Sequence, residues 1–293
     1  MKKIVLFALC AIAFASCQKG FETPEPAEPE EWGYIDISKA KKFTFTIKGD
    51  FGAAAFTRAY LQADGKEMTD LWVYDYMDGH LVQKLHQTPE DAAWGKPEMT
   101  LAYGQHHVYF VASRGTEPSV NETDHIISWG SVRDTFWKDY EVSVVSTSNG
   151  NRAVTLDRVV TKLRLTVNDE VPATCAQLSV TPSVWYYGLN YVTGSAVSAQ
   201  SHEMTVDIPS SYVGTFGQLM ASFFSVSAPD EWTSNISVKA KDADGGVLGS
   251  VNISGAPFKA NRATEYSGNL FGSGGTLDVS VNEAWESPLE RTW

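Results

Sequence analysis

Cys17 carries the most definite chemistry in this sequence, because of what precedes it. Met1, Lys2 and Lys3 lead into a mostly apolar stretch over residues 4–15, closed by Ser16. A basic start, a hydrophobic run and small side chains ahead of a thiol are the organisation of an export signal. The twelve residues of that stretch would make a helix only ~18 Å long, well short of the ~30 Å hydrocarbon core. The segment is therefore expected to be removed rather than to span a bilayer. The step Phe14-Ala15-Ser16-Cys17 resembles a lipobox, in which small residues expose the bond before a cysteine that has been acylated; Phe14 departs from the usual Leu or Val. Residues 1–16 are read as a signal peptide and Cys17 as the lipidated residue, whose palmitate-type chains hold the protein at the cell outer membrane. Cys10 leaves with the signal, so Cys175 becomes the single thiol of the mature chain and no internal disulfide is expected. Cys175 reads as a small buried side chain rather than a nucleophile.

Other reactive constellations are missing from the sequence. It holds no Gly-x-Ser-x-Gly elbow, phosphate-cradling loop, dinucleotide fingerprint or His-Glu-x-x-His pair. His106 and His107 are adjacent in a predicted strand, where neighbours face opposite ways, so they do not converge on one metal. Asp242-Ala243-Asp244-Gly245 starts like a calcium loop but lacks the remaining ligand positions and reads as a turn. No catalytic residue, metal or cofactor is expected. With 35 acidic against 23 basic residues and a net charge of -12, attraction to nucleic-acid phosphates has the wrong sign. Loss of Lys2 and Lys3 with the signal takes the charge to -14, so acyl chains rather than basic residues must provide membrane attachment. The one cluster suited to binding is Trp185-Tyr186-Tyr187 with Tyr191, where Trp185, Tyr187 and Tyr191 share a strand face. They pack a core or, if exposed, stack on sugar rings.

The elements that would position these groups are strands. Residues 18–31 carry Pro24, Pro26 and Pro29 among five glutamates, a composition that builds no core and favours an extended stalk. Residues 17–31 are read as a lipidated tether reaching roughly 40 Å from the membrane. From Trp32 onward the pattern has period two, with frequent turn residues, as in antiparallel sandwiches. Phe43, Phe45 and Ile47 alternate with Lys42, Thr44 and Thr46. Residues 71–77 and 81–86 form a predicted hairpin through Asp78-Gly79, residues 141–145 and 153–156 a second around Asn149-Gly150, and residues 236–240 and 247–253 a third. The only helical hint is over residues 131–140, where Val132, Phe136 and Tyr140 share a face, and one short helix at most is expected there. Residues 158–167 read as a strand with one wet face, and the boundary between two domains, 32–156 and 157–293, is set just before it. Further strands are predicted over 177–181, 204–208, 219–227, 265–270 and 277–281. The fold class is all-β, with two tandem sandwiches.

The stretches FTFTIKGD at 43–50, TDLWVYDYMDGHLV at 69–82 and RVVTKLRLTV at 158–167, together with Cys17 and the acidic tether, resemble the fimbrillin family of Bacteroidota, and within it the FimB/Mfa-type anchor and accessory subunits of type V pili. The resemblance covers nearly all of the mature chain. It implies two transthyretin-like Greek-key sandwiches, surface display as a lipoprotein, a role in cell adhesion, and fimbrial shaft or accessory pilins as partners, joined by strand exchange. An added strand satisfies the unpaired backbone groups of a sheet edge. Shaft subunits of that family are cleaved after an arginine, and neither Arg58 nor Arg114 has a context that carries the role over. The strand offered to a partner would be the last one, in which Leu277, Val279 and Val281 alternate with polar residues; it either closes its own domain or reaches into a neighbour. The alternative function is a surface glycan-binding lipoprotein of a polysaccharide-uptake system, with Trp185 or Tyr187 stacking on sugar.

Overall fold

The computed structural model describes residues 38–49, 68–227 and 230–271, and the backbone of 277–282. Cys17 and the tether lie outside the described residues. The first strand, β1 (Ala40–Lys48), puts Phe43, Phe45 and Ile47 on one face, and all three are buried. It sits at the centre of a three-stranded sheet. The strands β2 (Asp70–Met77), β3 (His80–Gln87), β4 (Glu98–Ala102), β5 (Gly104–Ser113), β6 (Thr116–Asn121), β7 (Ile126–Ser131), β8 (Thr135–Val144), β9 (Asn151–Thr155) and β10 (Asp157–Arg158) follow in order. β4 pairs with β1 antiparallel and β9 pairs with it parallel, while β10, β8, β5, β2 and β3 form a second sheet in that order. The two sheets enclose a core in which Phe45 meets Phe110 edge-on at 5.1 Å.

The second sandwich repeats the plan. Its strands are β11 (Val160–Val167), β12 (Gln177–Pro182), β13 (Trp185–Asn190), β14 (Ser195–Gln200), β15 (Met204–Asp207), β16 (Gln218–Val226), β17 (Trp232–Lys241), β18 (Val247–Phe258), β19 (Ala263–Gly268) and β20 (Leu277–Asn282). The sheet β16-β11-β19-β20 faces the sheet β15-β12-β17-β18. As β1 lies between antiparallel β4 and parallel β9, so β11 lies between antiparallel β16 and parallel β19.

A fifth sheet, β14-β13-β7-β6, draws two strands from each half of the chain. Ile127 on β7 stands opposite Leu189 on β13, and both are fully buried. This seam explains β2, whose sequence does not alternate. Leu71 and Val73 fill the first core, while Trp72, Tyr74 and Tyr76 on the opposite face join the core of the second sandwich. A strand covered on both sides needs apolar residues on both. Tyr74 stacks on Tyr191 at 4.0 Å across the seam.

Two local expectations are corrected. The stretch 131–140 is not helical and runs into β8. Phe136 and Tyr140 are four apart, a spacing that satisfies the strand period of two as well as a helical face. Nor do residues 141–145 and 153–156 form a hairpin, because β8 and β9 belong to different sheets. Gly150 is needed for close approach instead of a turn: a Cβ there would lie 2.1 Å from the Lys42 carbonyl oxygen, and the Thr44 N–H donates to the Gly150 carbonyl at 2.7 Å. The Asp78-Gly79 turn forms as read, with both residues at positive φ, 51° and 82°. In the third hairpin the Asp242 carboxylate accepts the N–H groups of Asp244 and Gly246.

Candidate assembly edges and the surrounding groups

β9 is the outermost strand of its sheet among the described residues. In the parallel ladder Thr44 and Thr46 face β9, so Arg152 and Val154 of β9 point their main-chain groups toward β1, and Asn151, Ala153 and Thr155 point theirs outward. The Asn151 N–H donates to Asn149 Oδ1 at 3.0 Å, and the Arg152 guanidinium donates to the Asn151 carbonyl at 3.0 Å. Ala153 and Thr155 then present N–H and C=O groups in a row, with the Val154 side chain buried beneath them. This is an edge on which a further strand can build.

The equivalent place in the second sandwich is occupied. β20 runs antiparallel along the outer side of β19, with Leu277 opposite Gly268, Val279 opposite Tyr266 and Val281 opposite Thr264. The strand singled out for donation thus pairs within its own chain; the side chains of Leu277, Val279 and Val281 lie outside the described residues. Two of the other edges are blunted. β6 carries Pro118, and the β16 edge is occupied by Trp185, whose Nε1–H donates to the Phe224 carbonyl at 2.9 Å, and by Tyr186, whose N–H donates to Ser225 Oγ at 3.0 Å.

Several ionisable clusters surround these edges. Asp134, near the start of β8, binds Arg158 through both oxygens, Nε to Oδ1 at 2.7 Å and Nη2 to Oδ2 at 3.2 Å. Arg114 adds a bond at 2.9 Å, while Arg158 also donates to Asn261 Oδ1 at 2.9 Å and lies over the Phe136 ring. This network ties the β18–β19 loop to the first sandwich, and it accounts for Arg114 as an ion-pair residue. Inside the first sandwich, His106 places Nδ1 2.7 Å from Asp75 Oδ1 and Nε2 2.9 Å from the Ala102 carbonyl. A carbonyl only accepts, so Nε2 carries a proton, while Nδ1 shares a second hydrogen bond with Asp75. Burial opposes charge here, but the hydrogen bond and charge of Asp75 outweigh it, and the imidazole is held above its ordinary pKa.

His106 and His107 do face opposite sides of β5. Strand pairing, however, brings exposed His107 beside Asp139 and Glu141, with Nδ1 3.0 Å from both Asp139 oxygens. No sequence spacing signals that proximity, since it depends on the β5–β8 register. The aromatic cluster is core. Trp185 and Tyr191 are 0% exposed, so Trp185 offers no ring face to a sugar. Burial pushes the Tyr109 and Tyr187 phenols up to about 12 and raises the Cys175 thiol. None of these is a nucleophile poised near neutral pH.

Residues 117–293 match the profile of a family of unknown function, DUF6562. No curated protein matches the chain. Among solved structures, a candidate polysaccharide-binding protein (DUF1812) from Bacteroides thetaiotaomicron superimposes with a TM-score of 0.52 at 10% identity, over 83% of this chain and 96% of that one. A candidate cell adhesion protein from Bacteroides uniformis gives 0.51 at 12%, over 85% and 98%. A candidate adhesin from Bacteroides ovatus gives 0.50 at 12%, over 83% and 94%. At such identities the likeness establishes a shared β-sandwich fold.

Proposed function

We propose that this chain, which belongs to the DUF6562 family, is a fimbrial subunit of adhesin type that is anchored to the outer membrane through Cys17 and joins pilin neighbours by strand addition. The observation that carries the reading is the contrast between the two sandwiches. The outer side of β19 is filled by β20, whereas the outer side of β9, its topological counterpart, is open among the described residues. The fold thus holds a filled and an unfilled form of one groove, and β20, antiparallel to β19, serves as the pattern for the strand that would add there. The structural relatives described as adhesion proteins support the same reading, as do the lipobox and the tether.

Assembly then depends on main-chain bonding, with Val154 as part of the apolar floor. Ala153→Pro tests this, because it removes an N–H that points outward and leaves the bonds to β1 in place. The full mature variant is expected to keep its cooperative unfolding and to lose co-purification with pilin. Unchanged co-purification would exclude the β9 edge. Deletion of residues 277–293 tests the other end, where loss of pilin with β9 intact would make β20 the donated strand. Cys17→Ala is expected to abolish acyl labelling and release the protein from membranes; continued labelling would contradict the anchor.

A further inference from the structure

The open side of the second sandwich, between the edge strands β15 and β16, holds a cavity of about 340 Å³ that is also lined by the end of β7 and the two residues after it. Its size falls at the lower end of ligand pockets, ~300–1,000 Å³. The charge of its lining runs against that of the chain. Acids outnumber bases 35 to 23 overall, yet no Asp or Glu lines this cavity, while Arg133 and His202 do. Arg133 is exposed and forms no ion pair among the described residues; the neighbouring carboxylate, Asp134, is engaged by Arg158 and Arg114.

Two of the polar side chains hold each other in place. Tyr187 stacks on His202 with ring centroids 4.8 Å apart, and its hydroxyl lies 3.0 Å from His202 Nε2. The hydroxyl and Nε2 share one hydrogen bond, which holds the imidazole in place and leaves Nδ1 for a ligand. The β16 wall contributes backbone. The Lys162 N–H donates to Arg262 on the β19 side, so Thr161 and Leu163 face β16, and Ser222 and Phe224 turn their main-chain groups away from β11 toward the cavity. Trp185 occupies the Phe224 carbonyl, leaving the Ser222 N–H and C=O on that wall. Half-buried Phe223 and Phe224 supply apolar surface beside these donors.

One guanidinium, an oriented imidazole, main-chain groups and aromatic edges, with no acid among them, suit a ring that carries both hydroxyls and a carboxylate. The geometry points to a binding site for an acidic sugar residue, of the uronic or sialic type, with Arg133 pairing its carboxylate and His202 and Ser222 bonding its hydroxyls. This site is separate from the β9 and β20 edges, so it stands or falls independently of pilus assembly.

Calorimetric titration of the full mature protein in detergent tests it, with glucuronic acid, N-acetylneuraminic acid, glucose, acetate and a glutamate-containing peptide as probes. At least one acidic sugar is expected to bind saturably, with glucose and acetate weaker by tenfold or more. Arg133→Gln is expected to weaken that binding by about tenfold or more, the worth of a charge-assisted bond, and Arg133→Lys to restore part of it. Tyr187→Phe frees the imidazole and is expected to weaken binding by severalfold, with unfolding midpoints confirming that each variant is folded. Absence of saturable binding by either acid, or binding that Arg133→Gln leaves unchanged, would overturn the assignment. Equal affinity for the glutamate peptide would make this a peptide-carboxylate site and overturn the sugar reading.

Discussion

Replacing Arg158 by Met removes a guanidinium whose side chain is only 3% exposed and keeps much of its volume. The variant loses two bonds to Asp134, one to Asn261 and the stacking on Phe136, all at the point where the chain passes from the first sandwich to the second. Breaking a buried pair from one side costs about 3–5 kcal/mol. The lower end applies, because Asp134 retains its 2.9 Å bond from Arg114 and is not left uncompensated. With an m-value near the upper end of the usual ~1–3 kcal/mol/M in urea, a loss of about 3 kcal/mol moves the unfolding midpoint down by roughly 1 M. Asp134→Asn is expected to cost more, since it strips the carboxylate from two arginines at once. The double variant is expected to be more stable than the sum of the two losses by about 1 kcal/mol or more. Urea titrations followed by tryptophan fluorescence and far-ultraviolet circular dichroism measure all three. The probes should coincide in one transition, because β7 and β13 put both halves in one sheet. A loss below about 1 kcal/mol for Arg158→Met, strict additivity in the double variant, or two separate transitions would refute this account.

His106 gives a pH dependence of known sign. Its folded pKa is raised, so its contribution is fully present below the unfolded value of about 6.5 and is lost as pH rises through the folded value. Burial lowers that pKa, and the hydrogen bond and charge of Asp75 outweigh it. The stability difference between the parent and His106→Gln should therefore shrink from pH 6 to pH 9 in urea titrations; a growing difference would reverse the assignment. Gly150→Ala is expected to destabilise by about 2 kcal/mol or more, the range for overpacking, because the added carbon meets the Lys42 carbonyl; thermal unfolding reads it. Cys175 is buried with a raised thiol pKa, so a chromogenic disulfide reagent should modify the folded protein only at the rate at which it opens, and rapid native-state labelling would contradict the burial.

The parts of the fold that the sequence discloses are those with one wet face. Phe43, Phe45 and Ile47 alternate cleanly and form β1, and Asp78-Gly79 specifies its turn through residues that tolerate positive φ. β2 is less plain in the sequence, because Trp72, Tyr74 and Tyr76 are apolar on the face that a simple sandwich leaves wet. That excess of aromatics was the available sign of a second packing partner. The parallel pairing of β9 with β1 left no local trace, since it joins residues about a hundred positions apart, and Gly150 serves a contact that only the assembled sheets create. The candidate edges were partly legible. The alternation of Leu277, Val279 and Val281 marks a strand, but the open flank of β9 emerges only from comparing two sheets. The acid-free cavity gathers Arg133, Tyr187, His202 and Ser222 from four segments, and no spacing connects them.

The sheet shared by β6, β7, β13 and β14 also limits how such a protein can be recombined. A gene cut between residues 156 and 157 would strand β13 without its neighbour and strip the cover from Trp72, Tyr74 and Tyr76. To transplant the second sandwich, one must take along β6 and β7, although they are encoded within the first. The stretch matched by the family profile opens at residue 117, inside β6, so what relatives hold in common already includes the borrowed hairpin.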